Sequence, residues 1–180
     1  MSQIDDQFDL TLLDSVSLAG ADLAGADLRG MNLCAREMRG ADLNYSDLTG
    51  VSLKGSDLCR ANMVMAELTL ADLRDANLTC ANLFGADLYG TDLRKANLEG
   101  AWLGGADLWD AHLNGVRLKN ARFDRETRWP DGFRPELYGA IRIDSLMEAR
   151  EQPQSSKPSI GSRARAVVRA PQHAAAAHQM

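Results

Sequence analysis

From residue 11 to residue 125 the chain repeats itself every five residues without an insertion. Leucine, or rarely another large apolar residue, stands at every fifth position: Leu13, Leu18, Leu23, Leu28, Leu33, Met38, and onward through Leu118 to Phe123. Ala usually stands two residues before, and Asp or Asn one residue before. A period of five is neither the 3.6 of a helix nor the 2 of a plain strand. It is an internal repeat, and such a repeat fixes the architecture before any other feature is read.

Within each block, alternation sends the small residue and the Leu to one side and the Asp or Asn to the other, as in a very short strand. The block's last position is Gly in eleven of the twenty-three blocks. A type II turn requires φ > 0 at its third residue, which Gly adopts without steric cost. Each block therefore reads as a strand fragment followed by a corner. A chain that makes the same corner every five residues must coil.

Ala21-Asp22-Leu23, Ala41-Asp42-Leu43, Ala71-Asp72-Leu73, Ala81-Asn82-Leu83 and Ala106-Asp107-Leu108 are clean copies of one motif. At these residues the sequence resembles the pentapeptide-repeat family, whose motif is A(D/N)LXX, over about two thirds of the chain. The resemblance implies an all-β fold, a right-handed quadrilateral β-helix of four blocks per coil and about six coils. Residue n then stacks under residue n+20, with coils about 4.8 Å apart. Each buried Leu contributes about 1.5–3 kcal/mol, offset by the entropy of ordering the chain.

Two places depart from the pattern. Arg36 occupies an inward position, where an unpaired guanidinium is costly. Local distortion is expected there, or an outward path for the side chain near Met31 and Met38. Arg60, Met65, Leu70, Asp75 and Cys80 replace Gly at five successive corners, and a less tight corner type is expected.

The repeat is expected to span 11–125, after an N-terminal cap over 1–10 in which Phe8 keeps register and the coil begins near Asp6. A C-terminal segment over 126–150 follows. Thr127-Arg128-Trp129-Pro130-Asp131-Gly132-Phe133 resembles an exit segment of that family. Trp129, Phe133, Leu137, Tyr138, Ile141 and Ile143 either cover the last coil or form a homodimer contact across Trp129–Ile143. A short helix over Asp144–Arg150 fits Asp144 as N-cap. Residues 151–180, rich in Ser, Pro, Gln, Ala and Arg, have too little apolar content for a core and read as a disordered basic tail. Its Arg163, Arg165 and Arg169 either meet an acidic partner or stay solvated.

The net charge of −5 is spread as an acidic body and a basic tail, which argues against general nucleic-acid affinity. The acidic start lacks the apolar run of a signal peptide, and no stretch reaches the roughly 18 apolar residues of a membrane span. A cytoplasmic protein is expected, with Cys34, Cys59 and Cys80 as free thiols. His112 stacks over Asp92, but no Ser or Cys is placed for activation. No phosphate-binding Gly motif and no metal-ligand spacing occurs. Neither catalytic residues nor a cofactor or metal is expected, and the chain does not read as an enzyme.

The modulo-20 columns leave one face acidic in every coil: Asp27, Asp47, Glu67, Asp87 and Asp107. This is either motif chemistry or a functional surface. Tyr45, Val64, Met65, Phe84, Tyr89, Trp102 and Trp109 lie beside it, as a contact patch or as stacked packing. Lys54, Arg74 and Arg94 form a basic column on the next face, paired with Asp72 and Asp92. The first functional expectation is a non-catalytic scaffold binding a protein, or itself, through the acidic and aromatic face. The alternative comes from the resemblance: some members mimic duplex DNA, bind DNA gyrase or topoisomerase IV, and confer quinolone resistance. The basic columns and the nearly all-Leu interior depart from that subset.

Overall fold

The computed structural model describes residues 17–143. The expected N-terminal cap, the helix over 144–150 and the tail lie outside the described residues.

Parallel bridges link residues twenty apart without a break, from Asp22↔Asp42 to Trp102↔Arg122. Four bridged positions fall in each twenty residues, separated by four corners, so the coil is four-sided and the chain all-β. In the block 41–45 every N–H has a defined acceptor. Ala41 donates to the Met38 carbonyl at 3.0 Å, closing the corner. Asp42 donates to Ala21 in the preceding coil at 2.8 Å, and Leu43 and Tyr45 to Asn62 and Val64 in the next at 2.7 and 2.9 Å. Only the fourth N–H finds no backbone acceptor. It donates to the Asp42 carboxylate two residues back, at 3.3 Å. A buried or half-buried N–H left unpaired is costly, so Asp or Asn recurs there because its short side chain carries an oxygen back to that group.

The interior is a stack of leucines with small residues between them. Met38 and every fifth-position Leu from Leu43 to Leu108 are fully buried, with Met63 in the same stack. Ser46 and Ser56 occupy inward small positions and return their hydroxyls to the Leu43 and Leu53 carbonyls, both at 2.7 Å. Thr91 donates across one coil to Leu68 at 2.8 Å.

The corners differ from expectation. All from residue 20 to residue 120 have a left-handed residue in the same place, Gly or not. Arg60, Met65, Leu70, Asp75 and Cys80 have φ of 54–60°, beside 61–76° at the corner glycines. The Gly-free corners are therefore not a looser type. A non-Gly residue in this region costs about 1–2 kcal/mol, and it is held there by the turn bond and the bond to the next coil. At Met65 these are Ala66 N–H to the Met63 carbonyl at 3.2 Å and Met65 N–H to Phe84 at 2.9 Å.

Arg36 is half-buried and its backbone keeps register: Asp57 N–H donates to its carbonyl at 2.8 Å. The only backbone departure at Arg36 is a turn bond stretched to 3.4 Å. Its neighbours in the same inward row, Ala21, Ala26 and Met31, are also half-buried, so this coil leaves the side chain room that the inner coils lack.

Strand β1, Arg122–Phe123, pairs in parallel with β2, Ile141–Arg142. Between them runs a 3-10 helix, Pro135–Tyr138. The Phe123 ring meets Trp129 edge-on at 5.7 Å, Trp129 stacks on Phe133 at 5.4 Å, and Phe133 on Tyr138 at 4.8 Å. Trp129 and Phe133 pack on the core and Ile143 is buried. Leu137, Tyr138 and Ile141, from the same apolar set, stay exposed.

Candidate interaction face

The bridge ladder brings the carboxylate column together: Asp27, Asp47, Glu67, Asp87 and Asp107 are successive partners, and Arg128 continues the line. Four of the five have a backbone duty. Asp27, Asp47, Asp87 and Asp107 accept the N–H of Arg29, Thr49, Tyr89 and Trp109 at 3.3, 3.1, 2.9 and 3.0 Å. For these the acid is part of the corner. Glu67 is exposed, and its longer side chain makes no such bond among the described residues.

Arginine closes the column at both ends. Arg29 grips Asp27 through Nε and Nη2 at 2.9 and 2.7 Å, and its Nε lies 3.4 Å from Asp47. These bonds from Arg29 hold the Asp27 carboxyl down at about 2. At the other end Arg128 donates to Asp107 at 2.5 Å, its guanidinium 5.6 Å from the Trp109 ring centre. Both arginines keep the column from being uniformly negative, and the column reading had left both out. Among the described residues, Glu67 and Asp87 at the middle have no ion-pair partner.

Apolar side chains border the face on both edges. One edge carries Tyr45, Met65 and Phe84, which are 66%, 48% and 40% exposed. The other carries Leu70, Tyr89 and Trp109, at 64%, 43% and 37%. The remaining exposed large apolar residues, Leu137, Tyr138 and Ile141, belong to the C-terminal segment. Val64 is half-buried on the first edge. Leu70 was absent from the expected set, although its position at the corner next to Tyr89 was there to be read.

Trp102 does not belong to this surface. It is only 9% exposed and stacks on Phe84, ring centres 6.4 Å apart. A Cβ on Gly104 would lie 3.1 Å from the Trp102 ring, so the ring fills the space that Gly104 leaves. Trp102 and Phe84 act here as one packed pair, of which only Phe84 offers surface.

The next face is neutralised internally. Arg74 binds Asp72 at 2.6 Å and reaches Asp92 at 3.6 Å, while Arg94 binds Asp92 at 2.6 Å. These bonds lower the Asp72 and Asp92 carboxyls. His112 is the bridge partner of Asp92, but the carboxylate is engaged by Arg94. Cys34, Cys59 and Cys80 are free thiols. Among the described residues no three His, Cys, Asp or Glu side chains group as a metal site.

The family model for pentapeptide repeats matches the chain in eight copies, over residues 11–35, 37–75, 67–94 and 91–125. No curated protein matches it. Among solved structures the chain is similar to Rfr23, a pentapeptide repeat protein of the cyanobacterium Cyanothece 51142. Identity is 29% over 60% of this chain and 90% of that one, with a TM-score of 0.38. It is also similar to alr5209, a pentapeptide repeat protein of Nostoc Pcc 7120, at 32% identity over 68% of this chain and 84% of that one, TM-score 0.33. QnrB1, a plasmid-mediated fluoroquinolone resistance protein, is 16% identical over 73% of this chain and 81% of that one, TM-score 0.34.

Proposed function

The chain belongs to the pentapeptide-repeat family, and from that premise we propose that it is a non-catalytic scaffold that binds a protein through the acidic face and its apolar borders. The observation that carries this is the arrangement of exposed apolar residues. Six of the nine exposed large apolar side chains among the described residues border one face, the one centred on Glu67 and Asp87. Apolar borders around unpaired carboxylates supply contact area and orientation together. The β-helix interior is filled with leucine, which leaves a cofactor no space. The free thiols fit a reducing, cytoplasmic setting.

In this reading the rod has about six coils, and Trp129, Phe133 and Ile143 close its C-terminal end. The exposed Leu137, Tyr138 and Ile141 remain for the rival homodimer contact across Trp129–Ile143. Sedimentation of the full chain distinguishes the two uses: a monomer assigns the segment to closure.

Mimicry of duplex DNA toward gyrase or topoisomerase IV is the competing reading, favoured by the unbroken carboxylate ladder. Charge density weighs against it. A duplex carries one charge per about 1.7 Å of axis, whereas this column carries one per about 4.8 Å and has arginine at both ends.

One pair of measurements separates the readings. The scaffold reading expects Leu70→Asn with Tyr89→Ser to abolish co-purification of the cellular partner without lowering the melting temperature, since Asn accepts the left-handed corner at residue 70 more readily than Leu. Retained association in that double variant removes it. The mimic reading expects inhibition of gyrase supercoiling at micromolar protein, relieved by Asp47→Asn, Glu67→Gln and Asp87→Asn.

A further inference from the structure

We propose that the basic tail of this same chain, through Arg163, Arg165 and Arg169, occupies the acidic face in cis, so that a partner must displace it. The inference rests on the reading of that face as an interaction surface, and it names the first occupant.

Three observations carry it. The first is charge. Arg29 and Arg128 satisfy the two ends of the column, which leaves Glu67 and Asp87 as adjacent carboxylates without a cation among the described residues. Like charges about 4.8 Å apart repel, and a cationic segment relieves both at once. Residues 149–180 are the strongly basic part of an otherwise acidic chain.

The second is where the described chain stops. Arg142 pairs with Phe123, and Ile143 N–H donates to the Phe123 carbonyl at 2.8 Å, so the chain at Ile143 has just passed Phe123. In the coils below, the next residues are the corner of Asp124, Gly104 and Phe84, which leads onto the acidic face. The chain thus leaves the described structure at the edge of that face. Asp87 lies about three coil spacings down the rod and Glu67 about four, roughly 14 and 19 Å. Twenty residues separate Ile143 from Arg163, and they span up to about 70 Å when extended.

The third is pattern. In an extended segment Arg163, Arg165 and Arg169 share one side. Their 163–169 span is about 20 Å, enough to run past Glu67 and Asp87, and long Arg side chains absorb the difference in spacing. Val167 and Val168 sit among them and match the Leu70, Tyr89 and Met65 borders. Tethering raises the local concentration of the segment to the millimolar range, so weak individual contacts suffice.

The test uses the full chain labelled for NMR, as wild type and as the Arg163→Glu, Arg165→Glu, Arg169→Glu variant. The expected result is that the Glu67, Asp87 and Tyr89 amides and the Trp109 indole shift between the two proteins. The same signals in the wild type move toward the variant's positions as salt rises from roughly 0.05 to 0.5 M, because screening weakens the contact. From the other side, Glu67→Gln with Asp87→Asn shifts the amides of 163–169. A synthetic peptide of residues 160–171 binds the charge-reversed variant and binds the wild type at least about tenfold more weakly, because the tether already fills the site.

Identical spectra for wild type and variant overturn the proposal, as does a peptide that binds both equally or neither. Shifts that depend on protein concentration also overturn it, since the occupant is then a second copy. A silent tail alongside a partner lost in Leu70→Asn/Tyr89→Ser removes the tail and leaves the scaffold standing. A docked tail on a face that binds nothing else supports the cis contact and removes the scaffold.

Discussion

The Asp124 carboxylate accepts the backbone N–H of Gly105 at 2.9 Å, and this bond marks where the five-residue count gains a residue. Asp107 pairs with Arg128, one position later than the twenty-residue ladder requires. The same Asp124 oxygen accepts the N–H of Glu126 and Thr127 at 3.0 and 3.1 Å. Thr127 Oγ1 lies 2.9 Å from the Leu103 carbonyl. Asp124→Ala strands several donors at once, at about 1–3 kcal/mol for each buried one. Urea denaturation should show a clear loss, with faster amide exchange at Gly105, and Asp124→Asn should lose much less because it keeps the acceptor.

Gly104 and Gly25 separate packing from backbone strain. A Cβ at Gly104 would lie 2.8 Å from Asp124 Oδ2, 3.1 Å from Trp102 and 3.2 Å from Phe84. At Gly25 a Cβ meets nothing, but φ is +66°. Gly25→Ala should therefore cost only the left-handed penalty, about 1–2 kcal/mol. Gly104 is not left-handed, so Gly104→Ala carries no such penalty but must displace a carboxylate or an aromatic ring, with an overpacking cost of about 1–3 kcal/mol and exposure of the Trp102 ring. Thermal melts and tryptophan emission check this: a red shift is expected for Gly104→Ala and none for Gly25→Ala.

The leucine beat made the interior legible, because a Leu repeated in one register has only one side to go to. The corners were legible as positions but not as conformations. Leu70 and Met65 suggested a new corner, yet the hydrogen bonds that fix each corner come from the backbone and are indifferent to the side chain. The face was half legible. Stacking at twenty residues brought Asp47, Glu67 and Asp87 into line. Arg29 escaped because it sits off the column and reaches it through a long side chain, and Arg128 because the ladder gains a residue after Asp107 and so leaves the modulo-20 column. Trp102 was misread as surface because its cover depends on the missing side chain of Gly104, two residues away.

The Asp27–Arg29 pair should be visible in a titration. Asp27 is held at about 2, below its ordinary 3.8, first by the Arg29 side-chain bonds. A carboxyl depressed in the folded state stabilises the fold above its unfolded value, and that contribution fades as pH falls from about 4 toward 2. In Arg29→Gln the Asp27 carboxyl should titrate higher than in the wild type but still below its ordinary value, because the backbone N–H of residue 29 still donates to it, and the share of acid sensitivity due to the guanidinium should disappear. Side-chain carboxyl NMR between pH 5 and pH 2 reads this directly. An Asp27 that titrates alike in both proteins would contradict the pairing.

Glu67→Asp isolates the meaning of the one column residue without a backbone duty. The charge is unchanged, so repulsion with Asp47 and Asp87 stays nearly the same. The shorter side chain places its oxygen where Asp47 and Asp87 hold theirs, 3.1 and 2.9 Å from the N–H two residues on. The variant should gain the missing bond to Thr69 N–H, worth about 0.5–1.5 kcal/mol, as a higher urea midpoint with unchanged slope. The Thr69 amide should shift and exchange more slowly. That carboxylate is also drawn back from solvent, so the variant should hold the 160–171 peptide less tightly than the Glu67 protein, each compared in the charge-reversed background. A more stable rod with a weaker face means that Glu67 gives up a corner bond to keep its carboxylate available. A variant less stable than the wild type would mean instead that Glu67 makes a structural contact, and the assignment of the fourth N–H to the motif carboxylate would fail at that coil.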